Sequence, residues 1–355
     1  METAAIAYHK GRGAQINSHN RFFKQQYVPE HIEMLDEDMV QKQQTEIIYT
    51  YPKTIINKVE SADLPFEYSM NPYQGCEHGC IYCYARPTHE YWGYSAGLDF
   101  ERKIIVKKNV VELLEKHFSS KNWQPAPIML SGNTDCYQPL ERDLELTRKI
   151  LQVCLKYKHP VSIISKNALV KRDLDILKQL AAENLVFVTI SVTGVDERNR
   201  LLLEPRTASY RNRIETIRML ADNRIPCGVN VSPVIPGLNN YEIPEVLEKA
   251  GKAGAWTAGM SIVRLNGAIG GIFKDWLFRN YPDRAEKVWS QVCDCHGGNV
   301  NDCRFGVRMR GEGKIAESIN QLFKLSRSRF IREQKFEFNC SSFNYRANDI
   351  QLSLF

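Results

Sequence analysis

Six short β-branched runs, spread between residues 66 and 264, alternate with stretches of helical periodicity, and this alternation constrains the fold more than any other feature of the chain. The runs are FEYSM (66–70), PIMLS (127–131), VSIIS (161–165), LVFVTIS (185–191), CGVNVS (227–232) and GMSIVR (259–264). Between them, residues 108–118 place Val110, Val111, Leu114 and Phe118 on one helical face, and 143–157 do the same with Leu144, Leu151, Cys154 and Leu155. Asp173 stands where an N-cap is expected for the helix holding Leu174, Leu177 and Leu180, and further helices are predicted over 209–223 and after Pro244. Strands alternating with helices pair in parallel through right-handed crossovers. Each run ends in a polar or small cluster: SGNTD, SKN, SVTG, SPVIPGLN. Such clusters at strand C-termini build ligand sites both in barrels and in doubly wound sheets. We expect an α/β fold of the first kind, a partial (β/α)6 TIM-like barrel.

The flanks differ in texture. Residues 1–60 are polar and weakly periodic, with GRGAQINSHNRF reading as an arm or loop; they form an N-terminal extension. The barrel core is expected over 61–270, a helical extension over 271–336, and a flexible Asn- and Ser-rich tail over 337–355. No run approaches the roughly twenty apolar residues of a spanning helix, and the start has no secretory pattern, so a cytoplasmic protein without membrane contact is expected. In that compartment the ten cysteines read as thiols or metal ligands, not disulfides.

Three of them lie within eight positions: NPYQGCEHGCIYCYARPTH (71–89) holds Cys76, Cys80 and Cys83. A closed zinc site needs a fourth ligand, from His78 or a distant thiol. An iron–sulfur cubane held by three thiolates leaves one iron open, and an amino acid with a free amine and carboxylate can chelate that iron.

The C-x3-C-x2-C spacing, with Tyr82 before the last cysteine, resembles the hallmark of the radical S-adenosylmethionine (SAM) superfamily. GLDFERKI, NTDCYQPLE, PVIPGLN and FGVRMRGEG extend the likeness to its branch related to spore photoproduct lyase, over most of residues 10–330. The resemblance implies a [4Fe-4S] cluster on Cys76, Cys80 and Cys83, SAM on the open iron, and an enzyme that generates a 5′-deoxyadenosyl radical, with lyase-like repair of a DNA lesion as the expected reaction. It places Tyr82 near the adenine, Ser131, Gly132, Asn133 and Thr134 at the methionine amine, Lys166 at the methionine carboxylate and Ser191 at the ribose. Val234, Ile235 and Gly237 fall in the segment that packs on adenine. For the serines and glycines the alternative is ordinary turn chemistry.

Cys136 is a candidate hydrogen donor to a product radical, with Tyr137 as relay, although the branch more often carries proline at Cys136. Cys293, Cys295, His296 and Cys303 are a candidate second metal site, where NDCRFG again departs from the branch. Arg86, His89, Tyr91, Trp92, Arg308 and Arg310 are candidate nucleic-acid contacts, as are Lys324, Arg327, Arg329, Arg332 and Lys335; core packing and a solvated helix face are the alternatives. The terminal QLSLF, through Gln351, Leu352, Leu354 and Phe355, resembles the peptide that binds the bacterial sliding clamp. A radical enzyme also implies an electron donor such as a flavodoxin or ferredoxin. Two other readings compete with DNA repair. One is a radical enzyme acting on RNA, a peptide or a small metabolite; the other is a non-catalytic iron–sulfur sensor or clamp-tethered DNA-binding protein.

Overall fold

The computed structural model describes residues 8–23 and 44–347. Ten strands follow in order: Glu46–Thr50 (β1), Ile56–Lys58 (β2), Tyr68–Met70 (β3), Tyr73–Gln74 (β4), Lys103–Lys107 (β5), Ile128–Leu130 (β6), Val161–Ser165 (β7), Val186–Ser191 (β8), Cys227–Val234 (β9) and Thr257–Ile262 (β10). The main sheet has the order β10-β9-β8-β7-β6-β3-β2, in which every pair is parallel except the edge pair of β2 with β3. From β3 to β10 the spatial order is the sequence order. The chain therefore winds in one direction, as a barrel does, and lacks the reversal that defines a doubly wound sheet. All six expected runs are present as these parallel strands.

The side-chain alternation of the strands separates core from site. In β7, Val161 and Ile163 are buried, while Ile164 lines a cavity on the other face. The expected helices form at Val110–Phe118, Leu146–Lys156, Leu174–Ala182, Tyr210–Asp222 and Ile243–Lys252. Their apolar stripes bury Leu114, Ile150, Leu177, Leu220 and Leu247 against the sheet. Each such side chain contributes about 1.5–3 kcal/mol through area removed from water. Asp173 precedes its helix but caps nothing with its side chain. Its carboxylate is taken by Arg148, Arg172 and Tyr137, because burial makes ion pairing the stronger demand.

The 271–336 region breaks into three helices, Ile269–Asn280, Ala285–Asp294 and Gly313–Phe330, with non-helical chain over 295–312. Gly297, Gly298, Gly306 and Gly311 all adopt positive φ there, which interrupts a helix. Residues 337–347, expected to be flexible, lie on the domain. Phe343 packs on Phe118 and His159, and backbone amides of Asn339 and Asn344 donate to the carbonyls of Asn184 and Tyr157. No helix among the described residues is long and apolar enough to cross a membrane.

Candidate active site

The cysteine loop follows β4 and is pinned from beneath by one fully buried guanidinium. Arg86 donates to the carbonyls of Cys80 (3.0 Å), Gly79 (3.2 Å), Ala96 (3.2 Å) and Gly97 (3.0 Å), and pairs with the buried Glu101 at 2.5 Å. The same carboxylate accepts the backbone amides of Gly13 and Ala14, so the N-terminal arm is clamped onto the loop. A Cβ at position 13 would stand 1.9 Å from the carbonyl oxygen of Gly79, which leaves glycine as the only residue that fits this crossing. Part of the N-terminal extension thus acts as a brace for the cysteines.

Above the loop lies a cavity of about 310 Å3 at the C-terminal ends of the parallel strands. Cys76, Cys80 and Cys83 line it together with Tyr82, the strand-end residues Ser131, Gly132, Asn133 and Thr134, Lys166 after β7, and Ser191 at the end of β8. Ten residues assigned from the sequence therefore share one chamber. Val234 and Ile235 are buried in the core instead and Gly237 opens into a separate cavity; Ser232 and Pro233, just before them, line the chamber.

Burial pushes all three thiols up. Two cations oppose that for Cys83, the guanidinium of Arg86 and the ammonium of Lys166. Lys166 also stands 5.9 Å from the ring centre of Tyr82. The Tyr82 hydroxyl donates to Glu204, a fully buried carboxylate that also receives Thr193 (2.8 Å) and pairs with the buried Arg213. Burial alone would raise the Glu204 carboxyl; Arg213, Lys166 and the hydroxyl of Tyr82 outweigh it and hold it at about 2. The ring of the motif tyrosine is thereby fixed from behind by a permanent charge.

Asp135 performs the same function on the opposite wall. It accepts the Ser165 hydroxyl (2.9 Å) and the backbone amides of Lys166 (2.8 Å) and Tyr137 (2.9 Å), and faces Nδ1 of His78 at 3.3 Å. Nε2 of His78 meets Asn167 at 3.3 Å. Both ring nitrogens are engaged, so the histidine that a zinc site would have recruited is already committed. Sequence reasoning missed Glu204, Arg213 and Asp135; only the SKN and SGNTD clusters hinted at the last.

Other expectations are corrected. Cys136 and Tyr137 are fully buried in the core and lie outside the chamber lining. Ser131 has a positive φ of 75°, and its hydroxyl receives the Cys136 amide at 2.7 Å, so the turn directs that thiol inward. Burial pushes the thiol well up, and the Tyr137 hydroxyl is spent on Asp173 at 3.0 Å. Arg86 and His89 are buried, which makes the core-packing alternative correct for both, whereas Tyr91 and Trp92 are exposed. Cys293, Cys295, His296 and Cys303 do not converge: Cys295 is buried, Cys303 is exposed, and the His296 ring holds the Val263 carbonyl at 2.7 Å. Among the described residues no group of three or more metal-ligating side chains could hold a single ion. Gln351, Leu352, Leu354 and Phe355 lie outside the described residues.

The family model for the Radical SAM superfamily matches residues 70–250, the span that contains the cysteine loop and four of the six parallel strands, β6 to β9. The chain belongs to the radical SAM superfamily. It is 33% identical over 234 residues to an uncharacterized protein of Mycobacterium tuberculosis, covering 65% of this chain and 69% of the relative. To an uncharacterized protein of Methanocaldococcus jannaschii it is 31% identical over 223 residues, covering 62% and 79%. A spore photoproduct lyase variant solved with AdoMet and dinucleoside spore photoproduct superposes with a TM-score of 0.57 at 14% identity, covering 82% of each chain. A second lyase variant gives 0.56 at the same identity and coverage. These structures are alike in fold, including the partial barrel.

Superfamily membership implies SAM and a [4Fe-4S] cluster, and the chamber fits them. Its donor set is three soft sulfurs on one short loop, which suits an iron–sulfur cluster. A cubane spreads three thiolates over three irons and does not require them to meet at a point. Lys166 and Arg86 stand ready to compensate the thiolate charge.

Proposed function

We propose that this protein is a radical SAM enzyme acting on damaged DNA, with Cys76, Cys80 and Cys83 as the cluster ligands. The observation that carries the reading is the shared chamber, which gathers the three thiols, Tyr82, the 131–134 turn, Lys166 and Ser191. When bound, the reduced cluster supplies one electron that cleaves SAM to methionine and a 5′-deoxyadenosyl radical able to take hydrogen from an unactivated carbon.

The protein's contribution is positioning. The Lys166 ammonium is the cation for the methionine carboxylate, held by its backbone bond to Asp135. The backbone groups of the 131–134 turn serve the methionine amine; the Ser131 hydroxyl accepts the Cys136 amide and the Thr134 hydroxyl donates to the Tyr73 carbonyl. Ser191 meets the ribose from the end of β8. Ser232 and Pro233 take the adenine-packing role assigned to the residues after them. Apolar walls from Phe66, Met129, Ile164, Ile262 and Met309 keep water from the reacting centre.

DNA as substrate is supported by the lyase-like fold and by the exposed basic residues Lys324, Arg329, Arg332 and Lys335. A lesion must leave the stack to enter a chamber of this depth. A flavodoxin or ferredoxin is the expected electron donor, and QLSLF is proposed to tether the enzyme to a sliding clamp in the cytoplasm. A peptide of the last residues should bind the clamp and lose binding when Leu354 and Phe355 are both changed to alanine.

The test is anaerobic. Protein reconstituted with iron and sulfide is reduced, supplied with SAM and irradiated DNA, and assayed for 5′-deoxyadenosine and lesion loss. Product from the wild type, absent when the three cysteines are alanines, is the expected result. A spectroscopically intact cluster that never cleaves SAM, with or without DNA, overturns the catalytic reading.

A further inference from the structure

Two sets of cations stand at the chamber, and only one of them is explained by the cofactor. The thiols are served by Lys166 and Arg86. Just after β10 stands Arg264, which also lines the chamber. It is half-buried and has no hydrogen bond or ion pair to any described residue. The charged group that acts on it most strongly is a second guanidinium, Arg308, which also lines the chamber; the Asp63 carboxylate acts on it more weakly. The nearby carboxylate, Asp63, is already occupied: it pairs with Arg308 at 2.5 Å and accepts the Gly306 amide at 2.7 Å, while Ser61 takes the other arm of Arg308 at 2.6 Å. Burial and the repulsion of Arg308 both work against the Arg264 charge.

A guanidinium partly withdrawn from water, facing another and sharing with it a single carboxylate that is bonded to that neighbour, is under-compensated and costly to the folded protein. Such an arrangement persists where a ligand anion completes it, and a planar fork of donors matches the paired oxygens of a phosphodiester. The same chamber carries the apolar side chains of Phe66, Leu64 and Met309, which suit bases flanking a single anionic link. The cluster does not account for Arg264, since the cations acting on the thiols are Arg86, Lys166 and Arg213.

We infer that Arg264, backed by Arg308, receives one phosphodiester group of the substrate inside the chamber, so that the lesion is recognised as a phosphate-linked unit. This rests on the nucleic-acid reading above and adds to it the group that is held and the residue that holds it. Arg308, fixed by Asp63 and Ser61, is a positioning residue that keeps the local potential positive.

The experiment compares two probes on the reconstituted protein with SAM bound: dinucleotide spore photoproduct with its bridging phosphodiester, and the dinucleoside form without it. The wild type is expected to bind the dinucleotide about tenfold or more tighter, the scale of a charge-assisted bidentate contact. Arg264→Gln should bind both probes alike, at the dinucleoside level, with iron content and melting temperature as controls for folding. Should that variant fail to fold, Arg264→Lys keeps the charge but not the fork and is expected to retain part of the preference. Equal binding of the two probes by the wild type, or an undiminished preference in Arg264→Gln, overturns the inference and leaves the nucleic-acid reading standing. Binding of neither probe by a protein that cleaves SAM overturns both.

Discussion

Two segments of this chain are rich in cysteine, and they differ in everything except composition. Residues 76–83 carry three thiols on a loop whose carbonyls are gripped by Arg86, whose base is clamped by Glu101, and whose thiols line one cavity. Residues 293–303 carry three thiols and a histidine with no such frame; one thiol is buried, one half-buried and one exposed, and the histidine is bonded to a backbone carbonyl. Spacing made both segments candidates. Convergence on one cavity sets the first apart as the proposed site, because ligands serve a cluster only when they are held together before it arrives.

The comparison can be broken at its supports. The largest effect is expected from Arg86→Met, which leaves Glu101 buried without its cation: a loss of about 3–5 kcal/mol in chemical denaturation, together with poor cluster loading. Retention of full stability and iron would show that the loop does not depend on this pair. Glu204→Gln is expected to act next most strongly. The folded carboxyl sits at about 2, below its ordinary 4.5, so its stabilisation is present above pH 4.5 and disappears as pH falls through 2. That difference is worth about 3 kcal/mol, and the variant should lose this part of the acid limb in a stability–pH profile. Tyr82→Phe removes one hydrogen bond to the same carboxylate and should cost about 1–3 kcal/mol, with weaker SAM binding by titration. Cys303→Ser, on the exposed end of the second segment, should stay within about 0.5 kcal/mol of wild type and load iron normally.

How far the sequence could be read follows from the range of each interaction. Period-two runs and helical stripes are local, and they located all six parallel strands and the five helices between them. The family resemblance named Tyr82, Ser131, Gly132, Asn133, Thr134, Lys166 and Ser191, and all of them line the chamber. What failed was long-range or directional. Arg86 resembled a phosphate contact until its partner Glu101 and the arm at Gly13 were seen around it, the latter about ninety residues away at Glu101. Cys136 stood next to the right turn in sequence, but the positive φ at Ser131 turns it into the core. Glu204 and Arg213 gave no motif signal, since their meeting behind Tyr82 exists only after the barrel winds. Arg264 was passed over as the last letter of a strand; its significance comes from partners it lacks, which no sequence displays.

The most direct measurement is iron and acid-labile sulfide per chain after anaerobic reconstitution of two triple-alanine variants, one at Cys76, Cys80 and Cys83 and one at Cys293, Cys295 and Cys303. The account predicts about four irons per chain in the wild type and in the second variant, and none bound specifically in the first. Iron lost from the second variant while the first still binds it would contradict the assignment of the cluster to the loop beneath the chamber.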